Sequence, residues 1–397
     1  MKIAIVVQGR FHAFDLARAL LDRGHAVTLF TNYPGWAVER FGISRRHVRS
    51  FTLHGALVRM LERLRAARWW PAHEALLHTL FGRWAAVELA REPWDVIHCF
   101  SGISEELLRV PELASIPRLL MRGSAHIRAQ ARLLAEEEQR TGHPLDRPTP
   151  WMLAREEREY QLADQIIVLS SFAQATFVAE GVAPERVMLV PLGVDTAAFR
   201  PIAQIVEQRS QRILAGEPLR VLYVGTLSLQ KGMWDLAQIV ASVDPQRFAF
   251  QLIGAPSPEI RPLLPRLQRH ARLLPRQPHN SLPGHYSQAD MFLFPTIQDG
   301  FAVVVTQALA SALPIITTLN CSGPDCITEG ATGWIVPIRA PEACIERLQW
   351  CDTHRHEVAA MVRRSYAEFQ PRDWSAVAAD FERVYAEIRV KDQYATH

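Results

Sequence analysis

The chain has 397 residues, 48% of them hydrophobic, and its 44 Lys+Arg against 41 Asp+Glu leave a formal charge of +3. At roughly 100 to 200 residues per domain, that length predicts two or three domains with cores of their own, and so small a net charge excludes a dedicated nucleic-acid binder. Lysine occurs only at Lys2, Lys231 and Lys391, so every other basic residue is an arginine.

Short apolar runs bounded by Gly, Pro or polar residues predict strands at Ile3 to Val7, Val27 to Phe30, Val96 to Phe100, Arg118 to Met121, Gln165 to Leu169 and Val187 to Val190. Ala13 to Asp22 reads as a helix stopped at Arg23-Gly24. The polar stretch Asp195 to Pro218, with Pro201, Gly216 and Pro218, predicts a domain boundary near residue 200. A second set of strands follows at Arg220 to Val224, Phe248 to Ile253, Met291 to Phe294, Pro314 to Thr317 and Trp334 to Val336, and a final helix at Ser375 to Val390. Continuous apolar strands alternating with helices predict parallel sheets covered on both faces. The expected fold is α/β: two doubly wound, Rossmann-like domains facing a cleft, where ligands meet the carboxyl ends of the strands. The predicted divisions are residues 1–198, 199–370 and a C-terminal helix, 371–397, returning to the first domain.

The five cysteines, Cys99, Cys321, Cys326, Cys344 and Cys351, form no CxxC pair and no metal-spaced ladder with histidine, which argues against a zinc ribbon and suits a reducing compartment. Met1 to Val7 is too short an apolar stretch for a signal peptide, and no run approaches the roughly 18 residues of a membrane span. The expected location is the cytoplasm. Arg59 to Arg68 sets four arginines among apolar residues before Trp69-Trp70, so either peripheral contact with an anionic membrane or ordinary packing of an amphipathic helix fits it.

Two segments carry the chemistry. The strand Val221 to Val224 runs into Gly225-Thr226, and Lys231-Gly232 then opens a helical pattern, Met233 to Val240. Backbone N–H groups and a helix dipole would converge there on an anion, with Lys231 adding a full charge. The spacing is not that of a Walker A loop. The second segment is Phe294-Pro295-Thr296-Ile297-Gln298-Asp299-Gly300-Phe301-Ala302, followed by a helical run, Val304 to Ser311, that contains Gln307. Gly300 permits close backbone approach and Asp299 accepts hydrogen bonds from hydroxyls.

With Ala163-Asp164, Val190-Pro191-Leu192-Gly193-Val194-Asp195, Phe199-Arg200-Pro201, Gln307-Ala308-Leu309-Ala310 and Thr332-Gly333, these segments resemble, in order and spacing, the retaining GT-B glycosyltransferases of family 4 type over nearly the whole chain. The resemblance implies transfer of a sugar from a UDP- or GDP-linked donor to a glycan or lipid-linked acceptor hydroxyl, with retention and no cofactor or metal. It implies catalytic roles for Lys231, Asp299 and Arg122, and donor contacts at Gly9, Gly225, Thr226, Gly300, Phe301, Ala302 and Gln307. Arg10, His12, Ser124 and His126 would line the acceptor or sugar pocket. The chain departs from the family's pattern at three of these positions: Thr226 replaces an arginine, and Asp299 and Gln307 replace glutamates. A noncatalytic homologue acting as a partner subunit therefore stands as the alternative. A nicotinamide-dependent dehydrogenase is disfavoured, because no Gly-x-Gly-x-x-Gly follows either opening strand.

Overall fold

Two parallel sheets account for every strand of the computed structural model, which describes residues 1–64, 70–194, 196–370 and 372–395. The first has seven strands: β1 (Lys2–Val7), β2 (Ala26–Thr31), β3 (Val48–Ser50), β4 (Val96–Phe100), β5 (Arg118–Met121), β6 (Gln165–Val168) and β7 (Val187–Leu189), in the order β3-β2-β1-β4-β5-β6-β7. The second has six: β8 (Leu219–Val224), β9 (Phe248–Ile253), β10 (Ala271–Leu274), β11 (Met291–Phe294), β12 (Ile315–Thr318) and β13 (Gly333–Val336), in the order β10-β9-β8-β11-β12-β13. Strand order reverses at β1/β4 and again at β8/β11, which places a ligand crevice at the carboxyl ends of both pairs.

The central strands are buried on both faces. Ile3 to Val7 and Val96 to Cys99 are all but inaccessible to solvent, as are Met291 to Phe294, the burial expected of parallel strands covered by helices on either side. Two strands escaped the sequence reading, β3 and β10, and both are sheet edges of polar or mixed composition. An edge strand pairs on one side only and has little apolar pattern to display.

One hydrophobic cluster centres on the first sheet and a second on the sheet that starts at β8. The long helix Trp374–Ala395 buries Val377, Ala378, Phe381, Val384, Tyr385 and Ile388 in the first cluster. His98 Nδ1 on β4 lies 2.7 Å from the Tyr385 hydroxyl, and the Phe381 ring packs on His98 at 5.2 Å between centroids. The chain thus returns to its starting domain. The two halves are also joined by charge: Arg140 pairs with Asp235 at 2.7 Å and with the buried Glu137, which Arg339 of the second half also reaches, at 3.0 Å.

Truncating Phe381 to Ala should lower unfolding stability by about 3–5 kcal/mol, the cost of a cavity at a fully buried aromatic. Urea unfolding checks this, and a loss under about 1 kcal/mol would mean that the helix does not complete the core.

Candidate functional site

The crevices of the two sheets face each other across a cleft of about 1020 Å³. The first domain contributes Gln8, Arg10, Phe11 and His12 after β1, Phe100 and Ser101 after β4, and Arg122 to Ser124 after β5; the second contributes Phe301, Val303 and Gln307. Pieces distant in sequence meet here because each lies at or beyond the carboxyl end of a strand in one of two facing sheets.

Lys231 sits in a short 3-10 turn, Leu229–Lys231, whose Ser228 side chain accepts from the Lys231 N–H. Gly232 follows at φ 78°, and the helix Met233–Ser242 begins. A Cβ at Gly232 would lie 1.9 Å from the Pro295 carbonyl oxygen, so only glycine lets this helix start approach the loop after β11. In that loop Lys231 Nζ is 2.7 Å from Asp299 Oδ2 and donates to the Gln298 carbonyl at 3.3 Å, while Asp299 Oδ1 accepts from the Phe301 N–H at 3.2 Å. Asp299 therefore serves as counter-ion to Lys231 and as brace of its own loop. The sequence places Lys231 at a helix start but does not show this carboxylate partner. The pair arises from proximity: β8 and β11 are neighbours, so their following loops meet. Neither side chain lines the open cleft; they stand behind Phe301 and Gln307, which do.

The same loop touches the first domain. A Cβ on Gly300 would fall 2.2 Å from the Gly123 carbonyl oxygen, and Ser124 Oγ donates to Gln298 Oε1 at 3.2 Å. Phe301 is buried within the first domain's hydrophobic cluster. Ala302 precedes the helix Val303–Ala310, whose first turn no side chain caps. Gln307 on that helix is nearly buried and its Oε1 accepts from the Tyr286 hydroxyl at 3.2 Å, which turns its amide orientation into a fixed one. Gly225 ends β8 with its N–H on the Ile253 carbonyl, and the Thr226 carbonyl accepts from the Tyr223 hydroxyl.

In the first domain, Gly9 at φ 94° donates to Asn32 Oδ1 at 2.9 Å. Arg10 stacks over the Phe41 ring at 4.1 Å and lies 3.7 Å from Asp15. His12 packs on Phe100, and burial lowers its pKa to about 4, so the imidazole is neutral. Its Nε2 has no hydrogen-bond partner among the described residues. Arg122 is held rather than free. Its Nη1 pairs with Glu156 at 3.1 Å, its Nη2 donates to Gln130 Oε1 at 2.7 Å and its Nε to the Ala125 carbonyl. Burial opposes its charge, but Glu156, Tyr160 and Glu159 outweigh that and raise its pKa.

His126 departs from the expected sugar pocket. It caps the helix Ile127–Thr141, accepting from the Arg128 N–H, and packs between Tyr160 and Phe177 at 4.9 Å from each, 4% exposed. Burial lowers its pKa to about 4. A polar side chain directly before a helix is a capping signal, and that reading fits its surroundings.

Sequence reading missed the group that fixes the β4 side of the cleft. Glu159, fully buried on the helix Pro150–Leu162, accepts from the N–H groups of Gly102 (2.5 Å), Ser104 (2.7 Å) and Glu105 (3.0 Å). Burial lifts its pKa to about 8, against the pull of Arg155 and of these backbone donors. Its spacing from Glu156 and Arg155 was visible in the sequence, but not the loop it would meet. Arg59 to Arg68 and Trp69-Trp70 fall partly outside the described residues, as does Asp195. Among the described residues, no three His, Cys, Asp or Glu cluster as metal ligands, and no helix is long and apolar enough to cross a membrane.

Two facing Rossmann-like domains of seven and six parallel strands define the GT-B class of architecture. The chain belongs to the glycosyltransferases of group 1 and family 4 type: residues 10–198 match the family described as "Glycosyltransferase Family 4" and residues 218–351 that described as "Glycosyl transferases group 1". It is similar to the D-inositol 3-phosphate glycosyltransferase of Corynebacterium glutamicum (strain R), 29% identical over 262 residues, covering 60% of this chain and 62% of the relative. It also resembles the putative colanic acid biosynthesis glycosyltransferase WcaL of Salmonella typhimurium, at 25% identity over 52% of this chain and 53% of that one. The matched stretches thus span less than two thirds of these curated relatives. Among solved structures, Anabaena Alr3699/HepE in complex with UDP and glucose superposes with a TM-score of 0.69 at 14% identity, over 98% of this chain and 100% of that one. Sucrose-phosphate synthase from Thermosynechococcus elongatus does so at 0.68 and 19%, over 98% and 99%.

The neutral histidines make stability pH-dependent. His12 and His126 fall to about 4 and His98 to about 3, below the unfolded value near 6.5. The unfolded chain therefore takes up protons first as pH falls, and stability should drop between about pH 6.5 and 4. His126→Asn, which retains a capping side chain, should show a smaller fall in urea midpoint from pH 7 to pH 5 than the wild type. An equal fall would mean that His126 is not held neutral.

Proposed function

We propose that this protein transfers a sugar from a nucleoside-diphosphate sugar to an acceptor hydroxyl on a glycan or glycolipid in surface-polysaccharide or glycoconjugate synthesis, with retention at the anomeric carbon and without a metal. The observation that carries the reading is the convergence of a lysine, a helix N-terminus and the Asp299 loop at the β8/β11 switch point, directly behind the Phe301 and Gln307 wall of an interdomain cleft. UDP and glucose in the similarly folded Anabaena protein, and the glycosyltransferase names of the relatives, agree with it.

In this reading the acceptor oxygen bonds to the anomeric carbon as the bond from that carbon to the diphosphate oxygen breaks. The diphosphate leaves with the electron pair, and the acceptor proton passes to a phosphate oxygen. Charge grows on the leaving group, so fixed donors aimed at it lower the barrier. Lys231 and the N-terminal amides of Met233–Ser242 supply that charge, and Asp299 holds the ammonium in place. Thr226 brings no charge, so Lys231 is the cation that the loop after β8 offers a diphosphate. Gln307, its oxygen occupied by Tyr286, presents its amide hydrogens to the nucleoside side of the donor. Arg122, Ser124 and His12 border the sugar and acceptor from the first domain. Leu53 and Met60, exposed on the helix Thr52–Leu64 beside Arg59, are the apolar residues through which the protein would meet a membrane carrying a lipid-linked acceptor.

A second reading, a noncatalytic partner subunit, draws support from the Lys231–Asp299 pair, which already satisfies the lysine. Assays with a panel of UDP- and GDP-sugars separate the two. Product formation should persist in EDTA and fall by about two to three orders of magnitude in Lys231→Ala, the size of a lost transition-state donor. Nucleoside diphosphate binding without turnover on any donor would favour the partner subunit, and no nucleotide binding at all would overturn the glycosyl-transfer reading.

A further inference from the structure

A second pocket, of about 570 Å³, opens on the far side of the Gln8 to Phe11 loop. Gln8, Arg10 and Phe11 border both it and the interdomain cleft, so the two are adjacent across this loop. Its remaining walls are Asn32 and Tyr33 at the end of β2 and Val58 and Arg59 on the helix Thr52–Leu64. The volume lies within the roughly 300–1,000 Å³ of small-molecule sites.

Three features of this pocket point to a ligand. Phe11 is 68% exposed, although it is a large apolar residue that stacks on Phe100 at 6.1 Å, and it holds φ 40°, a left-handed conformation that strains a bulky side chain. Gln8 Oε1 is buried and has no hydrogen-bond partner among the described residues, an acceptor left without a donor. Arg59 has no carboxylate partner among the described residues and only rests over the Tyr33 ring at 5.8 Å. Arg40, Arg46 and Arg186 of the same domain also lack a carboxylate partner among the described residues, but none of them lines this pocket.

We propose that this pocket is an acceptor subsite for a carbohydrate bearing an oxyanion, a phosphate or a carboxylate. Arg59 and Arg10 hold the oxyanion, Gln8 Oε1 accepts from a sugar hydroxyl, and the Phe11 ring stacks on the sugar where the pocket adjoins the cleft. A planar guanidinium suits either oxyanion, since both present paired oxygens to its fork. An aromatic face, an amide oxygen and a guanidinium together match an anionic sugar better than an apolar ligand, which would strand both polar groups. The strained Phe11 is explained as the divider between donor and acceptor, held in place before either binds. This subsite rests on the glycosyl-transfer reading.

Calorimetric titration of the full chain with D-glucose 6-phosphate, D-glucuronate and neutral D-glucose tests it, with UDP titrated separately. The phosphate sugar, the carboxylate sugar or both should bind at least about tenfold more tightly than glucose, and whichever does identifies the oxyanion. Arg59→Ala should weaken that binding by about tenfold or more, Arg59→Lys by less, and Phe11→Ala should weaken glucose and the anionic sugars alike. Lys231→Ala should leave it unchanged while reducing UDP binding. Arg59 is exposed, so its replacement does not threaten folding. No saturable binding of either anionic sugar, equal affinity for glucose, or indifference to Arg59→Ala would overturn the subsite. Failure of UDP alone would count against the donor reading and not against this pocket.

Discussion

The loop after β11 is the constraint on which the arrangement of this molecule depends. It is pressed from one side by the helix start at Gly232, which admits no Cβ against Pro295, and from the other by the Gly123-Ser124 backbone, which admits none on Gly300. Phe301 from the same loop is buried in the first domain's core. Between these contacts Asp299 meets Lys231 and Gln298 meets Ser124. A single segment therefore positions the candidate catalytic cation, closes one end of the cleft and couples the two domains.

The surrounding polar network serves the same placement. Glu159 fixes the loop after β4 through three backbone N–H groups, and Glu156 holds Arg122 after β5. Both belong to one helix, so the two first-domain loops that border the cleft share a single support. Buried carboxyl groups are tolerated here because each has donors on hand, and removing a partner would leave a polar group unsatisfied in a dry interior. Rigidity of this kind is what a site needs if its donors are to be in place before the transition state forms.

The fold was largely legible because strands buried on both faces must be continuously apolar, as in Ile3 to Val7 and Met291 to Phe294. Edge strands β3 and β10 lacked that requirement and left no pattern. In the site, Lys231-Gly232 and Asp299-Gly300 could be picked out by strand, glycine and helix order, since turn chemistry is local. Their mutual ion pair could not, because it joins residues 68 positions apart through the adjacency of β8 and β11. Arg122 and His126 show the opposite limit. Their loop was found, but the partners that lock one and bury the other come from helices whose packing no local pattern encodes.

The central claim is that the Lys231–Asp299 pair forms a prepared diphosphate site rather than an inert salt bridge. A double-mutant cycle on nucleoside diphosphate affinity addresses it, using Lys231→Met, Asp299→Asn and the double variant. The account expects Lys231→Met to weaken binding by about tenfold or more, Asp299→Asn to change it less, and the double variant to resemble Lys231→Met, because aspartate acts through the lysine. Affinities that stay at the wild-type value in all three variants would contradict it.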